Sequence, residues 1–219
     1  MKEHLGWYFP EKETHFQAML DKSVNKGGPA RYQYQVRDKS IDFCSRRRVA
    51  VDIGANVGLW SRDLVKVFDQ VLAFEPVEEF RQCLVKNVTE SNFHVHHEAL
   101  GNQNTTCRMI VTEGNTGHTH VDPESIGYQG QDHIHIITLD SLELPIVDYM
   151  KIDCEGFEFR VLQGSEQTIQ RCRPIIVVEQ KPHDTYRGEY GQLAAIAFLT
   201  NLGMTVLTTV KDDWILGWR

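Results

Sequence analysis

The chain has 219 residues, a formal net charge of −7, and 41% apolar and 24% charged side chains. That length suits one α/β domain with a substantial core rather than two. The acidic balance argues against a broad phosphate-gripping surface, because nucleic-acid binders carry a basic face. Arg46-Arg47-Arg48 reads as a solvated lead-in to the strand after it. No apolar run reaches the ~18 residues of a membrane span. The N-terminus, Met1-Lys2-Glu3-His4, lacks the apolar stretch of a signal peptide, so a cytoplasmic protein is expected. Cys44, Cys83, Cys107, Cys154 and Cys172 are odd in number and form no C-x-x-C pair, which fits free thiols in a reducing compartment.

Residues 1–48 are polar and irregular and break at Gly27-Gly28-Pro29, with one short helix over about Thr14 to Val24. They read as an N-terminal extension or lid on a domain spanning 49–219. Val49-Ala50-Val51-Asp52-Ile53 suits a strand buried on both faces of a parallel sheet. Leu64, Val65 and Phe68 then place a helix over Ser61 to Phe68. Val71-Leu72-Ala73-Phe74 is a second buried strand, closed by Glu75-Pro76; the proline bars continuation and opens a helix running to about Thr89. Phe93 to His97 reads as a third strand.

Residues 101–139 differ in character. Alternating stretches at Thr106 to Thr112 and His133 to Leu139 flank a polar loop, which predicts an inserted hairpin or irregular flap, with Thr116-Gly117-His118-Thr119 as part of it. A fourth strand at Val147 to Asp153 leads into a helix over Phe157 to Arg171 and a fifth strand at Pro174 to Glu179. A last helix from about Gln192 to Leu202 stops at Gly203, and Thr205 to Trp218 reads as a hairpin around Lys211-Asp212-Asp213. The alternation predicts an α/β fold: a doubly wound, mostly parallel Rossmann-like sheet with a C-terminal antiparallel hairpin. Ligands of such sheets bind beyond the carboxyl ends of the strands.

Asp52-Ile53-Gly54-Ala55-Asn56-Val57-Gly58 occupies the turn between the first strand and its helix. Gly54 permits a sharp bend and a close ligand approach. The G-x-x-x-G spacing departs from the dinucleotide fingerprint, and no Gly-Lys-Ser/Thr follows, so a pyrophosphate cradle has little support. Glu75 ends the second strand about twenty residues on, where an acid can accept from both ribose hydroxyls. The combination suggests a nucleoside ligand without phosphates, of which S-adenosylmethionine is the common example. Asp52 is placed to face the methionine amino group or to order the loop.

Several further segments extend the pattern: Ala73-Phe74-Glu75-Pro76, Thr138-Leu139-Asp140-Ser141-Leu142, Lys151-Ile152-Asp153-Cys154-Glu155-Gly156-Phe157-Glu158, Leu162-Gln163-Gly164 and Arg173-Pro174-Ile175-Ile176-Val177-Val178-Glu179. With the glycine loop, and in this order over about residues 49–180, the chain resembles the FkbM family of methyltransferases. Cys154 stands where that family usually has Val. The resemblance implies a class I methyltransferase fold and methyl transfer from S-adenosylmethionine to a hydroxyl oxygen of a small molecule or sugar. It further implies that Gly54, Asn56, Gly58 and Glu75 hold the cofactor, with Glu98 near the adenine and Asp153 near the transferred methyl; Asp52 and Ala55, in the same turn, are expected to join the cofactor-binding set.

A hydroxyl is a poor nucleophile, so a general base is useful. Asp153, Glu155 and Glu179 lie at or just past neighbouring strand ends and are the expected catalytic acids. A carboxylate cluster can raise one member's pKa or hold a divalent cation, although no motif supports the cation. Asp153 and Glu155 can also simply organise the loop and cap the next helix. The pairs His94/His96, His118/His120 and His133/His135 each share a strand face and can in principle chelate a metal, but they read as sheet-surface histidines, and no metal is assigned. The expected partner is a small-molecule or glycan acceptor, with no membrane. Alternatives are a nucleic-acid methyltransferase, disfavoured by the missing Asn/Asp-Pro-Pro-aromatic motif, and a binding module that has lost activity.

Overall fold

The computed structural model describes residues 1–180 and 193–218. The chain opens with β1 (Lys2–His4), β2 (Trp7–Phe9), α1 (His15–Asn25) and α2 (Tyr34–Asp42). An alternating segment follows: β3 (Val49–Ile53), α3 (Ser61–Leu64), β4 (Gln70–Phe74), α4 (Glu78–Asn87) and β5 (Phe93–His96). Five short strands come next: β6 (Ala99–Leu100), β7 (Thr105–Cys107), β8 (Met109–Ile110), β9 (His120–Val121) and β10 (Ile134–Ile137). The rest comprises β11 (Tyr149–Ile152), α5 (Glu158–Gln163), α6 (Glu166–Cys172), β12 (Ile175–Glu179), α7 (Ala194–Asn201), β13 (Thr205–Val210) and β14 (Asp213–Gly217).

The main sheet runs in the order β13-β14-β12-β11-β3-β4-β5. Its five inner-to-edge strands from β12 to β5 are parallel, and β14 pairs antiparallel with both β12 and β13. This is the doubly wound sheet with a closing hairpin that the sequence predicts. Continuous apolar strands form because both faces are covered. Val51, Ile53, Met150, Ile152, Ile176 and Val178 pack with α5, α6 and α7 residues such as Val161, Ile169 and Leu199. Ala50, Tyr149 and Val177 pack on the opposite face with Val36, Ile41 and Leu64. Each buried Val, Leu, Ile or Met among them contributes roughly 1.5–3 kcal/mol. After β3 the chain builds outward through β4 and β5, then crosses back to lay β11 on β3's other side. The carboxyl ends of β3 and β11 therefore flank the switch point, where a crevice must open. Among the described residues no helix is long and apolar enough to cross a membrane.

Three elements depart from the sequence expectation. The helix expected over Phe157 to Arg171 is split at Gly164-Ser165 into α5 and α6. Asp140 explains the break: its carboxylate accepts from the Gln167 and Thr168 amides at 3.0 and 2.8 Å, starting a new helix there. Gly164 also lies so close to Gly101 that an added Cβ would sit 1.9 Å from the Gly101 carbonyl oxygen. Backbone cannot yield as a side chain can. Gly164→Ala is thus expected to destabilise the fold by about 3 kcal/mol, read as a lower denaturant midpoint; an unchanged midpoint would contradict this packing.

The insertion is two small sheets rather than one hairpin. β7 pairs with β10 as expected, but β8 turns away to pair with β9, and β6 joins β10 in parallel. Residues 1–48 are more ordered than their polarity suggested, with β1, β2 and α2 in addition to the expected helix. Three-residue strands are too short to show an alternation. Trp7, Phe9, Phe16 and Leu20 nonetheless pack against Val57, Leu59 and Cys83. Gln192, the expected start of the last helix, lies outside the described residues, and Gly203, at φ +97°, stands just past the Leu202 C-cap and ends α7 where the sequence expects a stop.

Candidate active site

A cavity of about 260 Å³ opens at the carboxyl ends of β3, β4 and β11. Asp52, Gly54, Ala55, Asn56, Glu75, Asp153, Glu155 and Glu179 all line it. Gly58 lies outside that wall, packed against Leu84 and Val88. Glu98 also stands outside it, next to Ala99, which is in the wall. Its carboxylate lies 3.8 Å from His96 Nδ1 and 3.6 Å from His97 Nε2, and its Oε2 is buried with no hydrogen-bond partner.

The glycine loop owes its shape to close contacts on both sides. The Gly54 and Ala55 amides donate to the Phe74 carbonyl at the end of β4. Gly54 has φ +79°, and a Cβ there would lie 2.0 Å from the Asp153 carbonyl oxygen, so only glycine fits. Asp52 is 2% exposed and accepts from Ser61 Oγ at 2.5 Å, tying the strand end to α3. Glu75 is 4% exposed and accepts from the Asn56 and Val77 amides, each at 2.8 Å. A carboxylate has about four acceptor positions, so Glu75 retains capacity on the side of the cavity.

The flap closes the site through Asn56. Its Nδ2 donates to the Thr116 carbonyl at 3.0 Å, and its Oδ1 accepts from Thr116 Oγ1 at 3.1 Å. Glu13, fully buried, accepts from the Phe16 and Thr116 amides at 2.7 Å each. The N-terminal segment, the flap and the glycine loop are thereby stitched together around one cavity. Thr116 to Thr119 line it as the flap reading anticipated, and His15, Phe16 and Tyr32 add a wall that no local motif announced.

Asp153, Glu155 and Glu179 converge, with one carboxylate oxygen of each within 4.8 Å of the others. Lys151 enters the same cluster. Its Nζ lies 3.4 Å from Asp153, 3.1 Å from Asp213 and 4.8 Å from the centre of the Trp60 ring. Burial opposes the ammonium charge, but the carboxylates of Asp153, Asp213 and Glu179 outweigh it and hold its pKa well above the ordinary value. This fixed cation already offsets part of the acidic charge, so the convergence alone does not make a metal centre. Burial, reinforced by Asp153 and Glu179, pushes the Tyr32 phenol far up, keeping it protonated. Burial likewise keeps Cys154 a thiol, consistent with a filler rather than a nucleophile.

Glu158 was not singled out by sequence, yet it organises the strand–helix turn. It accepts from the Cys154 amide at 2.9 Å and the Gly156 amide at 3.0 Å, which lets Glu155 adopt φ +51° between them. Glu158 thus organises the loop, and Asp153 and Glu155 line the cavity.

Burial raises Glu75 and Glu158 to about 7 and Asp52 to about 6, against the backbone or hydroxyl bonds that favour their ionised forms. The folded state therefore binds these protons more tightly than the unfolded chain. Their contribution to stability is complete below about pH 4 and is lost as pH rises toward 7. For Glu75 the difference amounts to about 3 kcal/mol at pH 8. His96, held low by burial, pulls the other way. The expected result is that the thermal midpoint of ligand-free Glu75→Gln declines less between pH 5 and 8 than that of the parent. Parallel curves would contradict it.

The strand order and the crevice at its switch point define a class I, Rossmann-like methyltransferase fold. The family described as the methyltransferase FkbM domain matches residues 52–205, and the chain belongs to that family. Among solved structures, an FkbM methyltransferase from Methylobacillus flagellatus KT superposes with a TM-score of 0.51 at 18% identity, covering 79% of this chain and 44% of that one. This chain thus spans less than half the length of that relative. Precorrin 8w decarboxylase from Methanobacterium thermoautotrophicum gives 0.52 at 13% identity, over 99% and 97% of the two chains. A protein from Streptococcus mutans, assigned as a methyltransferase and solved in complex with SAH, gives 0.51 at 9% identity over 84% and 94%. At these identities the likeness is one of fold. No curated protein matches the chain.

Proposed function

We propose that the protein is an S-adenosylmethionine-dependent methyltransferase acting on a hydroxyl group of a small molecule or glycan, with residues 1–48 serving as a lid or extension on the domain at 49–219. The observation that carries this reading is the meeting, in one cavity, of the Glu75 carboxylate with the converging acids Asp153, Glu155 and Glu179.

The donor set fits the cofactor. Glu75 has free acceptor positions for a ribose diol. Lys151 is the single lysine or arginine among the described lining residues, and it is engaged by two acids, so no lysine or arginine of that wall is free to grip a phosphate. S-Adenosylmethionine supplies an electrophilic methyl group on a sulfonium. Asn56, Ala55 and Gly54 shape the loop against it, and Asp52 fixes that loop to α3. Asp153 takes the proton from the acceptor hydroxyl, with Lys151 steadying its carboxylate. Glu155 and Glu179 orient the acceptor by accepting from its neighbouring hydroxyls.

A labelled-methyl transfer screen over sugars, polyketides, peptides and RNA tests this. Label in a hydroxyl-bearing small molecule or glycan is the expected result. Label in RNA alone would replace this reading with the nucleic-acid one, and cofactor binding without transfer to any acceptor would favour a module without activity.

A further inference from the structure

The insertion carries a second cluster of metal-ligating chemistry, away from the cavity. Ile134 and Ile136 of β10 point into the core, which turns His133 and His135 together to the opposite, outer face. Their Nε2 atoms stand 3.3 Å apart, with the rings nearly perpendicular at 86° and centroids 4.8 Å apart. The larger centroid separation means that the two Nε2 edges converge.

The tautomer of His133 follows from its other nitrogen. Nδ1 lies 2.7 Å from the Gly130 carbonyl, which only accepts, so Nδ1 carries the proton and Nε2 presents a lone pair. A ring N–H anchored on a backbone carbonyl is the usual outer support of a metal-bound histidine. His135 then donates from its own Nε2 into that lone pair. Moving this proton to His135 Nδ1 frees a second lone pair without net proton release.

We propose that His133 and His135 form a binding site for one divalent transition-metal ion of the zinc type, held through both Nε2 atoms. Two metal–nitrogen bonds of about 2.05 Å spanning 3.3 Å subtend about 107°, close to the tetrahedral angle zinc adopts. Imidazole ligands select such ions over magnesium or calcium, which take oxygen. The nearby Asp132 carboxylate accepts from Tyr128 Oη at 2.8 Å and is committed there, so water completes the coordination. The ion links the start of β10 to the turn at Gly130 and so braces the insertion. His133 and His135 line no part of the cavity, and the proposal does not depend on methyl transfer.

Calorimetric titration of the full chain with zinc chloride, in millimolar magnesium to mask carboxylate sites, tests it. One equivalent is expected to bind in the micromolar range. His133→Asn and His135→Asn are each expected to weaken that uptake at least about 10-fold, with unchanged thermal midpoints in the absence of metal. His94→Asn serves as the control and should bind like the parent. Absence of zinc uptake, or uptake unaltered in His135→Asn, would overturn the proposal.

Discussion

Asp153→Asn is expected to lower methyl-transfer turnover by about 10²–10⁴-fold while leaving cofactor affinity nearly unchanged. Asparagine keeps the shape of the side chain and can accept a hydrogen bond, but it cannot take a proton from a hydroxyl at neutral pH. The Asp153 amide is anchored to the Ile53 carbonyl at 3.1 Å, so the substitution leaves the strand end in place. Lys151, 3.4 Å from the carboxylate, is 1% exposed and keeps Asp213 as a partner at 3.1 Å, which limits damage to the buried charge. Single-turnover rates together with calorimetric affinity separate the two effects. Turnover equal to the parent would remove Asp153 as the base. A large loss of cofactor affinity with turnover preserved at saturation would make it a binding residue instead.

Glu75→Gln is expected to weaken S-adenosylmethionine binding by about 10²–10³-fold. A hydrogen bond to a charged acceptor contributes about 1.5–3 kcal/mol, and a ribose diol makes two; a loss of 3–4 kcal/mol is that factor in affinity. The amide adds a second penalty. Glu75 accepts from the Asn56 and Val77 amides with different oxygens, so a glutamine must turn its NH2 toward one of those N–H groups. The wall around it, including Pro76 and Phe80, is apolar enough to make that mismatch costly. A folded protein with a flattened pH–stability curve and a poor cofactor affinity is the combined signature. Affinity within a few-fold of the parent would remove Glu75 from the ribose position.

The parts of this molecule legible in sequence are those built from neighbouring residues. Val49 to Ile53 is a short apolar run ending in glycine, and that alone places a strand, a bend and a ligand-facing loop. Glu75 follows from the same logic one strand later, and Thr205 to Trp218 shows its turn plainly. The remaining site residues are brought in by contacts that local pattern does not encode. His15 reaches the cavity from the start of α1 and Tyr32 from the segment between α1 and α2, and the stitching of Glu13 to Thr116 ties that region to the flap. Lys151 is a strand residue tied to Asp153 and Asp213, and it also lines the cavity. Glu98 and Gly58 lie outside the wall for different reasons: Glu98 follows the edge strand β5, away from the switch point, and Gly58 turns toward Leu84 and Val88 at the end of α4. The break at Gly164 depends on Asp140 and Gly101, distant in sequence from the helix they interrupt.

The central claim is that the Gly54 bend and the Glu75 carboxylate hold an adenosyl sulfonium compound. Titrating the purified chain with S-adenosylmethionine, followed by calorimetry and thermal shift, tests it most directly. Saturable heat at one equivalent per chain, with a raised thermal midpoint, is the predicted result. Neither heat nor thermal protection would contradict the claim and the enzymatic account built on it.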